Sequence, residues 1–186
     1  DTGYHKESDI LKPSNPYSAS KAAADMLITA WARTYDLDYV MLRPTNNYGI
    51  GQYPEKLIPI AVKSLRRGRK ISLHNQGTPI RNWLHADDTA EAAILLIEKK
   101  AENEIFNVAG GYEQTNADTV RKILYHYYGE ETALSSFVNR SDERDGQDMR
   151  YALDDSKLRA LGWTPKKKFD EEIGKIVNFY KEHFIW

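Results

Sequence analysis

The sequence predicts an α/β fold built around a parallel sheet. Short apolar stretches of strand length occur at 37–43, 71–74 and 105–109. Segments with helical periodicity alternate with them at 16–35, 55–67, 87–100 and 116–128. Glycine and proline punctuate the junctions at Pro44, Gly68, Gly110-Gly111 and Gly129. Such alternation implies strands joined by right-handed helical crossovers.

Residues 1–16 are polar and carry Pro13 and Pro16, as in a loop that delivers the chain into a helix. From 16 to 35, Ala22, Met26 and Ala30, and Ala23, Leu27 and Trp31, recur at helical spacing, with Pro16 in the first turn where its missing N–H costs little. Pro44 stops the strand at 37–43, and an Asn- and Gly-rich loop runs from there to Tyr53. The helix at 55–67 places Leu57, Ile58, Ala61, Val62 and Leu65 on one side despite Pro59. After the Asn75-Gln76-Gly77-Thr78-Pro79 turn comes Arg81-Asn82-Trp83-Leu84-His85, then a helix at 87–100 with Asp87 or Asp88 expected as its N-cap. The helix at 116–128 turns Val120, Ile123, Leu124 and Tyr127 inward and closes at Gly129. Residues 130–150 are charged and irregular. A short helix at 155–161, the Gly162-Trp163-Thr164-Pro165 turn and a last helix at 169–184 follow.

A chain of 186 residues with 41% hydrophobic content suffices for one domain with a sizeable core. Its net charge of -1 argues against a general nucleic-acid or membrane-surface partner, both of which call for a basic excess. The absence of cysteine excludes disulfides and thiolate metal sites. His5, His74, His85, His126 and His183 are too dispersed for a local metal motif, so no metal is expected. No run of about 18 apolar residues exists and the first residues are polar, so the expected compartment is the cytoplasm.

The chemistry centres on Tyr17-Ser18-Ala19-Ser20-Lys21. A spacing of four sets phenol and ammonium on one helix face, where the positive charge favours the phenolate and equips the tyrosine to act as a base. With the flanking Pro16 and Ala22-Ala23-Ala24-Asp25, this stretch resembles the catalytic helix of the extended short-chain dehydrogenase/reductases. Arg43-Pro44-Thr45-Asn46-Asn47-Tyr48-Gly49 and Pro54-Glu55-Lys56-Leu57-Ile58-Pro59 resemble the signature of one branch, the sugar-nucleotide 4,6-dehydratases that act on dTDP-glucose. The likeness extends to about Trp163.

The resemblance implies the C-terminal part of a Rossmann-type parallel sheet plus a smaller α/β substrate-binding lobe. Residues 1–50 would end the NAD-binding domain, and 51–186 would form mainly the lobe, with some segments returning to the sheet. No Gly-x-Gly-x-x-Gly run is present, so the chain reads as the later part of a longer enzyme. Tyr17 and Lys21 would be catalytic and, with Asn47, would contact NAD. Asn46, Lys56, Leu57, Ser72, Leu73, His74, Arg81, Asn116, Arg144 and Gln147 would line the sugar-nucleotide site, with Arg81 and Arg144 on the diphosphate. Asn116 competes with a plain role as helix N-cap. Two departures concern the base: Ser72-Leu73-His74 stands for the family's Pro-Ile-Tyr, and Asp145-Gly146-Gln147 for its Pro-Gly-His.

The implied product is a 4-keto-6-deoxy sugar, made through transient reduction of NAD. The family's acid–base Thr-Asp-Glu run does not stand in the sequence, so these residues alone are expected to be inactive. A homodimer through the Tyr17–Lys21 helix is also implied. The alternatives are a UDP-sugar 4-epimerase or decarboxylase, or a non-catalytic sugar-nucleotide-binding subunit.

Overall fold

The computed structural model describes residues 3–140, 146 and 148–183. Helix α1 (Pro16–Tyr35) leads to β1 (Val40–Pro44) and β2 (Asn46–Tyr48), then to α2 (Leu57–Arg66) and β3 (Ile71–Leu73). A 3-10 turn at His74–Gly77 precedes β4 (Ile80–His85) and α3 (Ala86–Glu98). Next come β5 (Glu104–Val108), β6 (Tyr112–Thr115), α4 (Asn116–Tyr128), α5 (Leu134–Phe137), β7 (Val138–Arg140), β8 (Arg150–Tyr151), α6 (Ser156–Arg159) and α7 (Phe169–Glu182).

The expected parallel pairing holds for β1 with β5, β2 with β4, β3 with β7 and β4 with β8. The antiparallel partner of β4, β6, was not foreseen. It lies just past Gly110-Gly111, which the sequence alone marks only as a break. Gly110 explains the connection: a Cβ there would sit 1.7 Å from the Trp83 carbonyl oxygen, so only glycine lets the chain cross β4 this closely. Its N–H donates to Asn82 Oδ1 at 3.0 Å, and Thr45 Oγ1 donates to the same oxygen at 3.1 Å.

Strand alternation on β4 feeds two cores. Trp83 points into a cluster with Tyr48, Ile58, Val62, Val120, Ile123, Phe169, Ile173 and Val177, beneath α2, α4 and α7. Leu84 points the other way, to Ala92, Leu96, Phe106, Val108, Leu158 and Trp163.

Two capping expectations are corrected. The N-cap of α3 is His85, whose Nδ1 accepts the Asp87 N–H at 3.1 Å. Asp88 is instead buried, with 1% exposure, and its carboxylate accepts the Lys166 and Lys167 N–H groups at 3.0 and 3.1 Å. It thereby pins the turn after Trp163. Similarly, Thr115 caps α4 by accepting the Asp118 N–H at 3.0 Å, leaving Asn116 as the first helical residue.

Gly110→Ala should cost at least about 3 kcal/mol of stability, because backbone rather than a yielding side chain stands in the way. Gly68→Ala, where φ is +60° and nothing lies within 4 Å, should cost only about 1 kcal/mol. Urea unfolding midpoints of the two variants test the contrast.

Candidate functional site

Helix α1 begins with a reciprocal cap. Asn15 Oδ1 accepts the Ser18 N–H at 2.9 Å, while Ser18 Oγ accepts the Asn15 N–H at 3.2 Å. Tyr17 follows directly, 70% exposed. The Lys21 ammonium lies 5.6 Å from the centre of the Tyr17 ring, so the two side chains share one face. No hydrogen bond joins Lys21 Nζ to the Tyr17 hydroxyl among the described residues. The helix is seated on β1 by Arg43, whose Nε donates to Asp25 Oδ2 at 2.8 Å and whose Nη1 reaches the Glu7 carbonyl at 3.3 Å.

Beyond β1, Asn46 and Asn47 point to opposite sides of the sheet. Asn47 is anchored toward α3: Thr89 Oγ1 donates to its Oδ1 at 2.5 Å, and its Nδ2 donates to the Thr45 carbonyl at 3.4 Å. Asn46, half-buried, pairs in register with Trp83 and so shares a sheet face with Arg81, two residues earlier on β4.

Strand pairing sets three further groups around Arg81. Tyr151 of β8 stands opposite it on one side and Gln114 of β6 on the other. The Tyr151 phenol is pushed up by burial first, then by the charge of Asp148 and by Tyr17. Burial lowers the Arg81 guanidinium, and Asp148 opposes that shift. Arg81 Nη1 is turned back onto the carbonyl of Ile80, at 2.7 Å. Gln114 is 9% exposed, and neither polar atom of its carboxamide has a hydrogen-bond partner among the described residues. Leaving such a group unsatisfied costs about 1–3 kcal/mol. Tyr151, Asp148 and Gln114 escaped the sequence reading because only non-local strand pairing gathers them.

The remaining candidates are spread between positions 56 and 147. Lys56 is the N-cap residue of α2 without a side-chain cap bond, and its ammonium pairs with Glu55 at 3.1 Å. Leu57 is half-buried against the core. Ser72 and His74 are exposed. The Leu73 side chain is in the core at 3% exposure, which leaves its backbone to meet any ligand. After His74 the chain takes left-handed conformations at Asn75 and Gln76, with φ of 48° and 55°. Asn116 is half-buried at the start of α4. Arg144 and Gln147 lie outside the described residues. Among the described residues, no group of three His, Asp or Glu side chains is placed to hold a metal ion.

Residues 2–109 match the family model described as the NAD dependent epimerase/dehydratase family. Over 184 residues the chain is 36% identical to dTDP-glucose 4,6-dehydratase 1 of Escherichia coli K12, covering 97% of this chain and 51% of that protein. It is also 36% identical to the low-salt glycan biosynthesis protein Agl12 of Haloferax volcanii, covering 96% of this chain and 56% of that one. Among solved structures, DesIV, a dTDP-glucose 4,6-dehydratase of Streptomyces venezuelae with NAD bound, superposes with a TM-score of 0.90 at 38% identity. That match covers 98% of this chain and 56% of DesIV. UDP-glucose 4-epimerase of Thermotoga maritima superposes at 0.84 with 27% identity, over 99% of this chain and 59% of the epimerase. The chain spans about half the length of the curated relatives it matches.

The Asp25–Arg43 pair, with side-chain exposures of 23% and 18%, ties α1 to the sheet. Asp25→Asn should therefore cost about 1–3 kcal/mol in urea unfolding and speed amide exchange along α1. An unchanged midpoint would contradict that role.

Proposed function

The chain belongs to the NAD dependent epimerase/dehydratase family, and we propose that its residues serve the 4,6-dehydration of a nucleotide-activated hexose, dTDP-glucose or a close analogue. The observation that carries this reading is that the segment pairing with Arg81 through Tyr151 also bonds, through Asp148 and Gly146, to Ser14 and Asn15 at the start of the Tyr17 helix. A base and an anion-binding fork thus flank one neighbourhood, as a sugar joined to a diphosphate requires. The similarity to 4,6-dehydratases over nearly all of this chain supports it.

In this reading Tyr17 removes the proton of the sugar C4 hydroxyl as that carbon is oxidised, and Lys21 stabilises the phenolate by its charge. Tyr17, Lys21 and Asn47 would hold the nicotinamide end of NAD, which would supply a reversible hydride acceptor for the sugar. The exposed Tyr17 hydroxyl and Lys21 ammonium form a donor set suited to ribose hydroxyls, and Asn47 would lie at the nicotinamide side. The fit is to that end of NAD. Gly49 leaves no open cradle for a pyrophosphate, since a Cβ there would already be in contact with His85 and Ala86 at 3.6 Å. Arg81 and Asn46 would hold the sugar nucleotide from one sheet face, with Lys56, Leu57, Ser72, Leu73, His74 and Asn116 along the lobe. Arg144 and Gln147 join this assignment from sequence alone.

Residues 1–50 are assigned to the NAD-binding domain and 51–186 mainly to the lobe. The exposed Met26, Leu27 and Trp31 of α1 suit a symmetric contact between two copies. No described helix is long and apolar enough to cross a membrane.

Elimination of water from C6 calls for an acid and a base beyond Tyr17. The 186 residues assayed by themselves should therefore form no 4-keto sugar, and appreciable turnover would refute that assignment. In the full-length enzyme, Tyr17→Phe should lower kcat about 10²- to 10⁴-fold with nucleotide affinity unchanged. Product analysis by NMR with dTDP-glucose and UDP-glucose tests the reaction itself. A 4-keto-6-deoxy product supports the dehydratase reading, whereas a C4 epimer, a decarboxylated sugar or no product would replace it with one of the alternatives.

A further inference from the structure

Residues 146 and 148–151 link two parts of the site that the chain delivers from distant positions. Toward α1, Ser14 Oγ donates to Asp148 Oδ1 at 3.0 Å and lies 3.3 Å from the Gly146 carbonyl, which also accepts Asn15 Nδ2 at 3.0 Å. Asn15 is the N-cap of α1, two residues before Tyr17. The approach is tight: a Cβ on Gly146, at φ +67°, would come within 2.9 Å of the Ser14 carbonyl oxygen. Toward β4, the Met149 carbonyl accepts the Ile80 N–H at 2.8 Å, and Tyr151 stands in register with Arg81. Asp148 thus flanks the ladder beside Arg81, on which its charge acts. No ion pair within 4.0 Å forms between the two among the described residues.

We propose that Asp148 is a positioning residue that couples the anion site at Arg81 to the tyrosine helix, standing just ahead of the Met149–Ile80 bond and the Tyr151–Arg81 pairing while its carboxylate accepts the Ser14 hydroxyl ahead of α1. This rests on the reading that Arg81 binds the diphosphate of a nucleotide. Toward that diphosphate Asp148 is a like charge, so it holds affinity below what the guanidinium alone would confer and favours release. Because the same carboxylate grips Ser14, an anion arriving at Arg81 is felt at the cap of the helix that carries Tyr17.

The test uses the 186-residue chain, with dTDP and UDP as probes in calorimetry and amide exchange followed through the first turns of α1. Asp148→Asn keeps an acceptor for Ser14 but removes the charge. It should bind the diphosphates about 3- to 10-fold tighter, with the gain shrinking at high salt. Ser14→Ala should leave affinity within about 2-fold, yet abolish the change in α1 exchange that dTDP causes in the unaltered chain. A purely structural role for Asp148 would not tighten binding. Equal or weaker binding by Asp148→Asn, or an undiminished exchange response in Ser14→Ala, would overturn the coupling while the nucleotide reading stands. Failure of the unaltered chain to bind either nucleotide would overturn that reading, and the coupling with it.

Discussion

Pairing along β4 is the constraint on which the rest of the structure depends. This strand bonds to β2, β6 and β8, and its alternating side chains feed both cores. One register therefore fixes several things together. It sets Asn46 beside Trp83, Arg81 between Tyr151 and Gln114, and Asn82 where its oxygen gathers the Gly110 amide and the Thr45 hydroxyl. A slip of one residue would send Arg81 to the opposite sheet face and Leu84 into the wrong core. The buried Trp83 and Leu84 oppose such a slip, so apolar packing keeps the polar site in place.

Helix α1 is held differently. None of its residues is buried, and its attachment runs through the Asp25–Arg43 pair, the reciprocal Asn15–Ser18 cap and the contacts of Ser14 and Asn15 with residues 146 and 148. Polar contacts of this kind orient more than they stabilise, because each exchanges with water at a small net gain. The tyrosine is thus carried by an element whose position responds to a few hydrogen bonds. Helices α2, α4 and α7, by contrast, are locked by a shared apolar core.

What could be read from the sequence follows the range of the interactions involved. Helix α4 was legible to the residue, because the periodicity of Val120, Ile123 and Leu124 and the left-handed Gly129 are local signals. Tyr17 and Lys21 were legible for the same reason, one turn apart on one face. Strands β2, β6 and β8 were not: two to four residues without a clear apolar alternation carry little local signal, and their partners lie far along the chain. The caps misled where side chains serve distant backbone. Asp88 looked like a cap for its own helix, yet its carboxylate satisfies Lys166 and Lys167 while the preceding His85 does the capping. Arg81 stands out through its motif, whereas its neighbours Tyr151 and Gln114 emerge only from the pairing of β8 and β6 with β4.

The proposed function requires the phenol of α1 and the guanidinium of β4 to meet one and the same nucleotide sugar. Following the tyrosine ring resonances of the ¹³C-labelled chain during a dTDP titration tests this most directly. Tyr17 and Tyr151 should shift together and saturate at one nucleotide concentration, and both responses should vanish in Arg81→Ala. Shifts confined to tyrosines remote from β4, such as Tyr125 and Tyr128, or a response at Tyr17 that survives the loss of Arg81, would contradict it.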